Sequence, residues 1–342
     1  MTYEKWIDVT KGIGILLVIL GHNNFSQSFL SVIHAFNMPL FFFISGYLFH
    51  YSKYKQNPTG FISQKFKRLV VPYFITNIII LCTFILMSFF KLYSFNDSPI
   101  KSLIGIFYGN GAPLNPPTIF TNLLNIPSWF LLSLFCASLI LYMIAYSHEK
   151  YGLTLSLFLS LLFILFGYKI SRYMLLPWSI DISCVSMIFM FSGYLINYYK
   201  KFWPYDYFKS IFYSFIFVLL LLIVISINGS VDINTRMYSN LFFFGIGGLL
   251  GTEVTIEFAK ELSKKESLLT KILVYFGKNS IIILLYQSFT PIFYLSILNN
   301  FINLNDILYN SPILSSLNML ISCIVTIFII KRVPILDRIY ST

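Results

Sequence analysis

The chain has 342 residues, 57% hydrophobic and 11% charged, with a formal net charge of +11 and a mean hydropathy of +0.76. Long apolar runs recur from end to end, which excludes an ordinary soluble domain and predicts an all-α polytopic membrane protein, one integral-membrane domain over residues 1–342. The basic excess requires no nucleic acid: it sits in loops beside apolar runs, where membrane lipid with anionic headgroups is the default partner.

The runs predict about ten transmembrane helices, near 7–27, 31–50, 67–90, 128–146, 152–168, 178–198, 209–227, 239–258, 279–297 and 311–330. With Lys11 set aside, an N-terminus-inside arrangement puts 18 basic residues on cytoplasmic segments and five outside. Both termini are therefore expected in the cytoplasm, with the chain multi-pass in the plasma or inner membrane. The first run lacks a basic flank and a small-residue cleavage site, so it reads as a helix and not as a cleaved signal. Cys82, Cys136, Cys184 and Cys323 are scattered in apolar stretches without metal or redox spacing.

The first helix carries the most informative residues, Asp8, Lys11 and His22. Ionisable groups inside a span cost about 2.5–3.5 kcal/mol each and mark function by default. Lys11 and His22 are eleven residues apart, which returns to nearly the same helix face about 16 Å further along. Asp8, three residues from Lys11, is expected to pair with it and orient it. In the second helix, His34 and Asn37 begin near the depth of His22, making His22 the catalytic candidate and His34 the second. His50 and His148 fall at cytoplasmic ends and read as surface residues.

The third helix opens on Lys65-Phe-Lys-Arg68 at the boundary where Lys11 lies. Lys11, Lys65 and Arg68 together suggest a cationic mouth for an anionic ligand, although Lys65–Arg68 alone would read as an ordinary basic flank. The loop 91–127, with Gly109-Asn-Gly111 and Pro116-Pro117, reads either as a re-entrant lid or as a surface loop. One internal echo is visible, Ile44-Ser-Gly-Tyr-Leu-Phe49 and Phe191-Ser-Gly-Tyr-Leu-Ile196, explicable by shared helix packing or by an old duplication.

Asp8-x-x-Lys11-Gly12 with His22, Met38-Pro-Leu-Phe-Phe-Phe-Ile-Ser-Gly-Tyr47 and Lys65-x-x-Arg68-Leu-x-x-Pro72-Tyr73 resemble membrane acyltransferase family 3. The fucose 4-O-acetylase-like branch is the most similar. Pro127-Ser-Trp129-Phe-Leu131 and Gly277-Lys-Asn-Ser280 resemble two later motifs of that family. The resemblance implies a ten-helix O-acetyltransferase that takes acetyl from cytoplasmic acetyl-CoA to a hydroxyl, usually of a cell-surface carbohydrate. Lys11 and Lys65 stand where many relatives carry Arg, Asn37 where the family pattern has His, and Gln287 where a late His often follows.

CoA chemistry suits the residues: phosphates match the cationic mouth, and the pantetheine arm matches the Lys11–His22 separation. A neutral imidazole at His22 can act as general base or accept the acyl group itself. No cluster has metal-ligand spacing, so no metal is expected. No histidine has Asp five positions on, and none follows His148, which sets aside two other acyltransferase types. The remaining alternatives are a transporter or flippase for a glycan or lipid intermediate, and a non-catalytic subunit of an assembly complex. The charges cluster in the first three helices, and no broken helices are expected in matching halves.

Overall fold

Apolar runs opened by Asn, Ser or Pro become helices throughout the computed structural model, which describes residues 4–92, 95, 98–112, 123–200, 211–298 and 311–340. Helices α1 (Lys5–Gly21), α2 (Gln27–Tyr47), α3 (Pro58–Phe89) and α4 (Pro99–Tyr108) form the first group. They are followed by α5 (Trp129–Tyr151), α6 (Leu153–Ile170), α7 (Ile180–Val185) and α8 (Met187–Tyr199). The last group is α9 (Ile211–Asn228), α10 (Leu241–Ser263), α11 (Leu268–Lys278), α12 (Ser280–Tyr286), α13 (Phe289–Leu298), α14 (Pro312–Arg332) and α15 (Pro334–Tyr340). Caps mark several starts: Asn57 Oδ1 accepts from Gly60 N at 2.8 Å, and Asn240 Oδ1 from Phe242 N at 2.9 Å. The only pairing outside helices among the described residues is an isolated bridge between Asp232 and Met237.

Six helices are long and apolar enough to cross a membrane, or as many as eight if each of two bent pairs is one span. The difference from ten has local causes. Helix α1 is 17 residues, short of a full crossing, and the start of the expected seventh span lies outside the described residues. The expected ninth span, 279–297, is interrupted where α12 stops at Tyr286 before α13 begins at Phe289, and α12 itself meets the preceding α11 at 68°. The expected sixth span is broken too, with the Pro177–Val185 segment meeting α8 at 58°. Broken helices are therefore present, both in the second half of the chain, so they are not counterparts in two matching halves. Ion pairs and cation–π contacts gather the basic residues on one end of the bundle. Lys5 bonds Glu266 at 2.6 Å, Lys200 bonds Glu4 at 3.3 Å, and Lys331 lies 5.4 Å from the Tyr275 ring. The hydrogen bond from Lys5 holds the Glu266 carboxyl below its usual value.

The loop 91–127 resolves in part. Helix α4 folds back into the bundle, where Ile106 is fully buried and its carbonyl accepts from the Tyr73 hydroxyl at 2.7 Å. That half packs against the bundle as a short helix with Ile100 and Phe107 exposed, whereas Pro116-Pro117 lie outside the described residues. The Ser-Gly-Tyr-Leu echo is a packing device. A Cβ on Gly46 would meet the Met190 carbonyl oxygen at 1.8 Å, and one on Gly193 the Phe43 oxygen at 2.2 Å. Each glycine thus faces the residue three before the other, a reciprocal crossing of α2 and α8 that only small residues permit.

Candidate functional site

Two motifs far apart in sequence build the site at the basic face. A Cβ on Gly12 would lie 2.1 Å from the Leu273 carbonyl oxygen, and one on Gly277 would lie 1.9 Å from that of Asp8. The two glycines let α11 cross α1 backbone to backbone, which delivers Lys278 and Asn279 beside Lys11. A third motif closes another wall, as Phe130 and Leu131 of α5 reach the same space. Ser128 fixes the start of α5: its hydroxyl donates to Asn125 O at 2.7 Å and accepts from Asn77 Nδ2 at 3.0 Å.

The result is a cavity of about 660 Å³. Lys11, Lys53, Lys65, Arg68, Lys278 and Lys331 face it, against the carboxylates of Asp8 and Asp337. Lys11 Nζ is 3.3 Å from Asp8 Oδ1, and both side chains are mostly covered. Lys65 immediately precedes, and Arg68 lies within, a π turn, Phe66–Val70, set into α3. Such turns carry one extra residue and are frequent at functional sites. Lys67, by contrast, is exposed and does not line the cavity, so it is no substitute for Lys65. An excess of fixed cations over anions in a partly desolvated cavity attracts phosphate-like anions.

His22 lies elsewhere. On α1 the cavity ends at Ile15, seven residues or about 10 Å below His22. Val18 and Ile19 between them are packed in the core. His22 itself is exposed at the opposite end, and its ring interacts electrostatically with His34 and with the carboxylate of Asp232. His34 comes close because Gly21 has no side chain, and its Cε1 would meet a Cβ there at 3.1 Å. Asn23 bonds Met319 Sδ at 3.2 Å, level with a residue about 10 Å inside the start of α14. The imidazole therefore lies at a level about 10 Å below the start of α14. Asn37 turns inward, with Oδ1 accepting from Met38 N at 2.7 Å, and is buried.

A family model described as an acyltransferase domain matches residues 4–332. The chain belongs to membrane acyltransferase family 3. No curated protein and no solved structure matches it.

The acyltransferase therefore gathers Asp8, Lys11, Lys65 and Arg68 at one cavity, and His22 with His34 at a second place on the same first helix. Sequence reading missed several contributors. Lys53, Lys278 and Lys331 resemble topology charges until the fold turns them inward. Asp337 and Tyr340 of α15, beyond the matched region, also line the cavity. The Tyr340 hydroxyl hydrogen-bonds Thr76 at 2.5 Å and Tyr286 at 2.9 Å, which anchors α15 across the wall. Asp232 is the carboxylate whose charge reaches the two histidines, although its Oδ1 accepts from Asn234 N at 2.9 Å within its own turn, and a turn rich in polar residues gave no sign of that proximity. Gln287 is fully buried, and neither polar atom of its amide finds a partner among the described residues. It lies one turn beyond Leu284, the last α12 residue on the cavity wall. Such a group costs about 1–3 kcal/mol.

Proposed function

We propose that this acyltransferase moves an acetyl group from cytoplasmic acetyl-CoA to a hydroxyl of a cell-surface or lipid-linked carbohydrate, with His22 as general base or acyl carrier. The observation that carries the reading is a cavity with six cations set on α1 beneath an exposed imidazole on the same helix face. In this reading the nucleotide phosphates of the donor rest on Lys11, Lys65 and Arg68, with Asp8 holding Lys11 in place. The pantetheine arm threads past Ile15 toward His22, and the packed layer opens to admit it. The acceptor hydroxyl arrives from the far side. Its oxygen bonds to the thioester carbon as the C–S bond breaks, and His22 takes the hydroxyl proton and returns it to the leaving thiolate. In the carrier variant the imidazole attacks first, and the acyl group passes from it to the hydroxyl. The charge of Asp232 and the neighbouring imidazole of His34 bias the protonation of the ring in either case.

Lys11→Ala and Arg68→Ala should each weaken acetyl-CoA binding, since each removes a cation from the phosphate end. Charge-assisted contacts contribute about 1.5–3 kcal/mol, so the dissociation constant should rise roughly 10–150-fold, measured by titration of purified protein. Lys65→Ala should fall in the same range, because Lys67 faces away. Unchanged CoA affinity in both Lys11→Ala and Arg68→Ala, with the fold intact, sinks the donor assignment.

Orientation is tested separately. In a chain with its four cysteines replaced by alanine, a cysteine at Ser52 should react only with membrane-permeant reagents, and one at Ser98 with impermeant ones. Both positions are exposed, whereas Asn110 is buried and bonded to Arg236 and would give no signal. Impermeant labelling at Ser52 reverses the topology and removes the cytoplasmic donor with it.

A further inference from the structure

A second cavity of about 460 Å³ opens on the basic face beside the first and shares Phe49 and His50 with it. It lies where the reciprocal helices α2 and α8 end. His50 and Asn197 occupy equivalent places in the two echoes, each five residues after the serine, and they meet: Asn197 Nδ2 is 3.2 Å from His50 Nε2. His50 Nδ1 is 3.2 Å from the Leu48 carbonyl oxygen. A carbonyl only accepts, so Nδ1 carries the proton and Nε2 accepts from the Asn197 amide. That chain fixes the amide plane. Among the described residues the second Asn197 N–H and its Oδ1 take no further hydrogen bond. One donor and one acceptor, side by side and held in plane, face the cavity.

The walls are aromatic. Phe49 and Tyr194 are buried behind the cavity, and Tyr198 is 42% exposed at its edge. Its ring packs 4.6 Å from that of His148, which in turn bonds the hydroxyls of Tyr194 and Tyr199 at 3.0 and 3.1 Å. With the Tyr194 and Tyr199 rings at 5.7 and 5.0 Å as well, this support holds the exposed part of the Tyr198 ring at the cavity edge as a platform. Charge separates the two cavities. The first has six cations to two carboxylates, while the second has Lys200 against Glu149 and is balanced. The first therefore suits phosphates, the second a flat, neutral ring.

We propose that the second cavity binds the adenine of the donor nucleotide, stacked on Tyr198 and read along its edge by the Asn197 amide. Asparagine matches adenine as a paired donor and acceptor, taking N7 and the N6 amino group together. Aromatic stacking contributes whatever the base. The shared wall at Phe49 and His50 lets one molecule occupy both cavities, with Lys53 near the junction to meet its phosphates. The assignment rests on the donor being a CoA thioester.

The test measures equilibrium binding to the full chain in detergent micelles. The ligands are CoA, a CoA analogue with hypoxanthine in place of adenine, and 4′-phosphopantetheine, which lacks the nucleoside. Wild-type protein should bind CoA more tightly than either of the other two. Tyr198→Ala and Asn197→Leu should each weaken CoA roughly five- to hundredfold while phosphopantetheine affinity stays constant, which also reports that the variants are folded. Asn197→Leu should further lose the preference for adenine over hypoxanthine. Wild-type CoA affinity in both variants, or equal losses for CoA and phosphopantetheine, overturns the adenine assignment alone. Wild-type protein that binds no CoA overturns the donor reading, and this assignment with it.

Discussion

His22→Ala should abolish acyl transfer while leaving CoA affinity within a few-fold of the parent. The phosphate-facing cations lie at Lys11 and below, about 16 Å along α1 from the imidazole, so the change removes chemistry without touching the grip. Loss of a general base lowers the rate about 10²–10⁴-fold, and loss of an obligatory carrier lowers it further. His22→Asn keeps a hydrogen-bonding side chain and should fail equally. Incubation with radiolabelled acetyl-CoA and no acceptor separates the two mechanisms: label retained on wild-type protein and absent from His22→Ala marks a carrier. His34→Ala and Asp232→Asn should give smaller rate losses, since both act on His22 through their nearby charge or dipole and not on the reacting atoms. Near-normal transfer in His22→Ala moves the centre elsewhere, with His34 next in line.

The largest expected effect on stability lies at the opposite end of the bundle from the cations. Arg236 Nε donates to Asp181 Oδ2 at 2.7 Å and Nη2 to Oδ1 at 3.1 Å, a two-pronged pair with side chains 4% and 0% exposed. Nη1 completes the set, donating to Asn110 Oδ1 at 3.0 Å and to the Asn234 carbonyl at 2.5 Å. The pair ties the loop before α10 to α7 and to the end of α4. Arg236→Ala strands a buried carboxylate, and Asp181→Ala strands a buried guanidinium. Each should cost about 3–5 kcal/mol, read as a lower midpoint in thermal unfolding of the micellar protein. The double replacement Asp181→Leu with Arg236→Met should recover much of that loss, because no unpaired charge remains. A single variant as stable as the parent means that water reaches the pair.

What sequence shows and hides here follows from distance along the chain. Asp8, Lys11 and His22 were legible because one helix carries all three, and helical periodicity converts spacing into direction. Lys65 and Arg68 were legible as a cluster, but nothing local separated Lys65 from Lys67. The π turn decides which of them faces the cavity. The crossing of Gly12 with Gly277 joins residues 265 positions apart, so two short motifs carried no sign that they touch. Lys53, Lys278 and Lys331 were counted for orientation, and a charge near a helix end reads the same whether it faces lipid headgroups or a cavity. Arg236 was placed in an outer loop by the same count, although its side chain is buried. Hydropathy also counts apolar length and not continuity, which is why the expected sixth and ninth spans concealed breaks at Ser186 and after Tyr286.

The five-residue turn Phe66–Val70 has a consequence for how α3 tolerates change in length. One residue more than a regular turn needs is stored there, equivalent to about 100° of rotation about the axis. Above it, Tyr73 and Asn77 are pinned by bonds to Ile106 and Ser128, and below it Asn57 caps the start. The turn acts as a phase shifter between two clamped ends. It lets the lower segment aim its charges by a different angle from that which the upper segment uses to pack. Loss of a single residue within it would turn Lys65 away from its neighbours, together with Phe61 and Gln64 of the same lower segment, while the cavity walls supplied by the other helices stayed where they are.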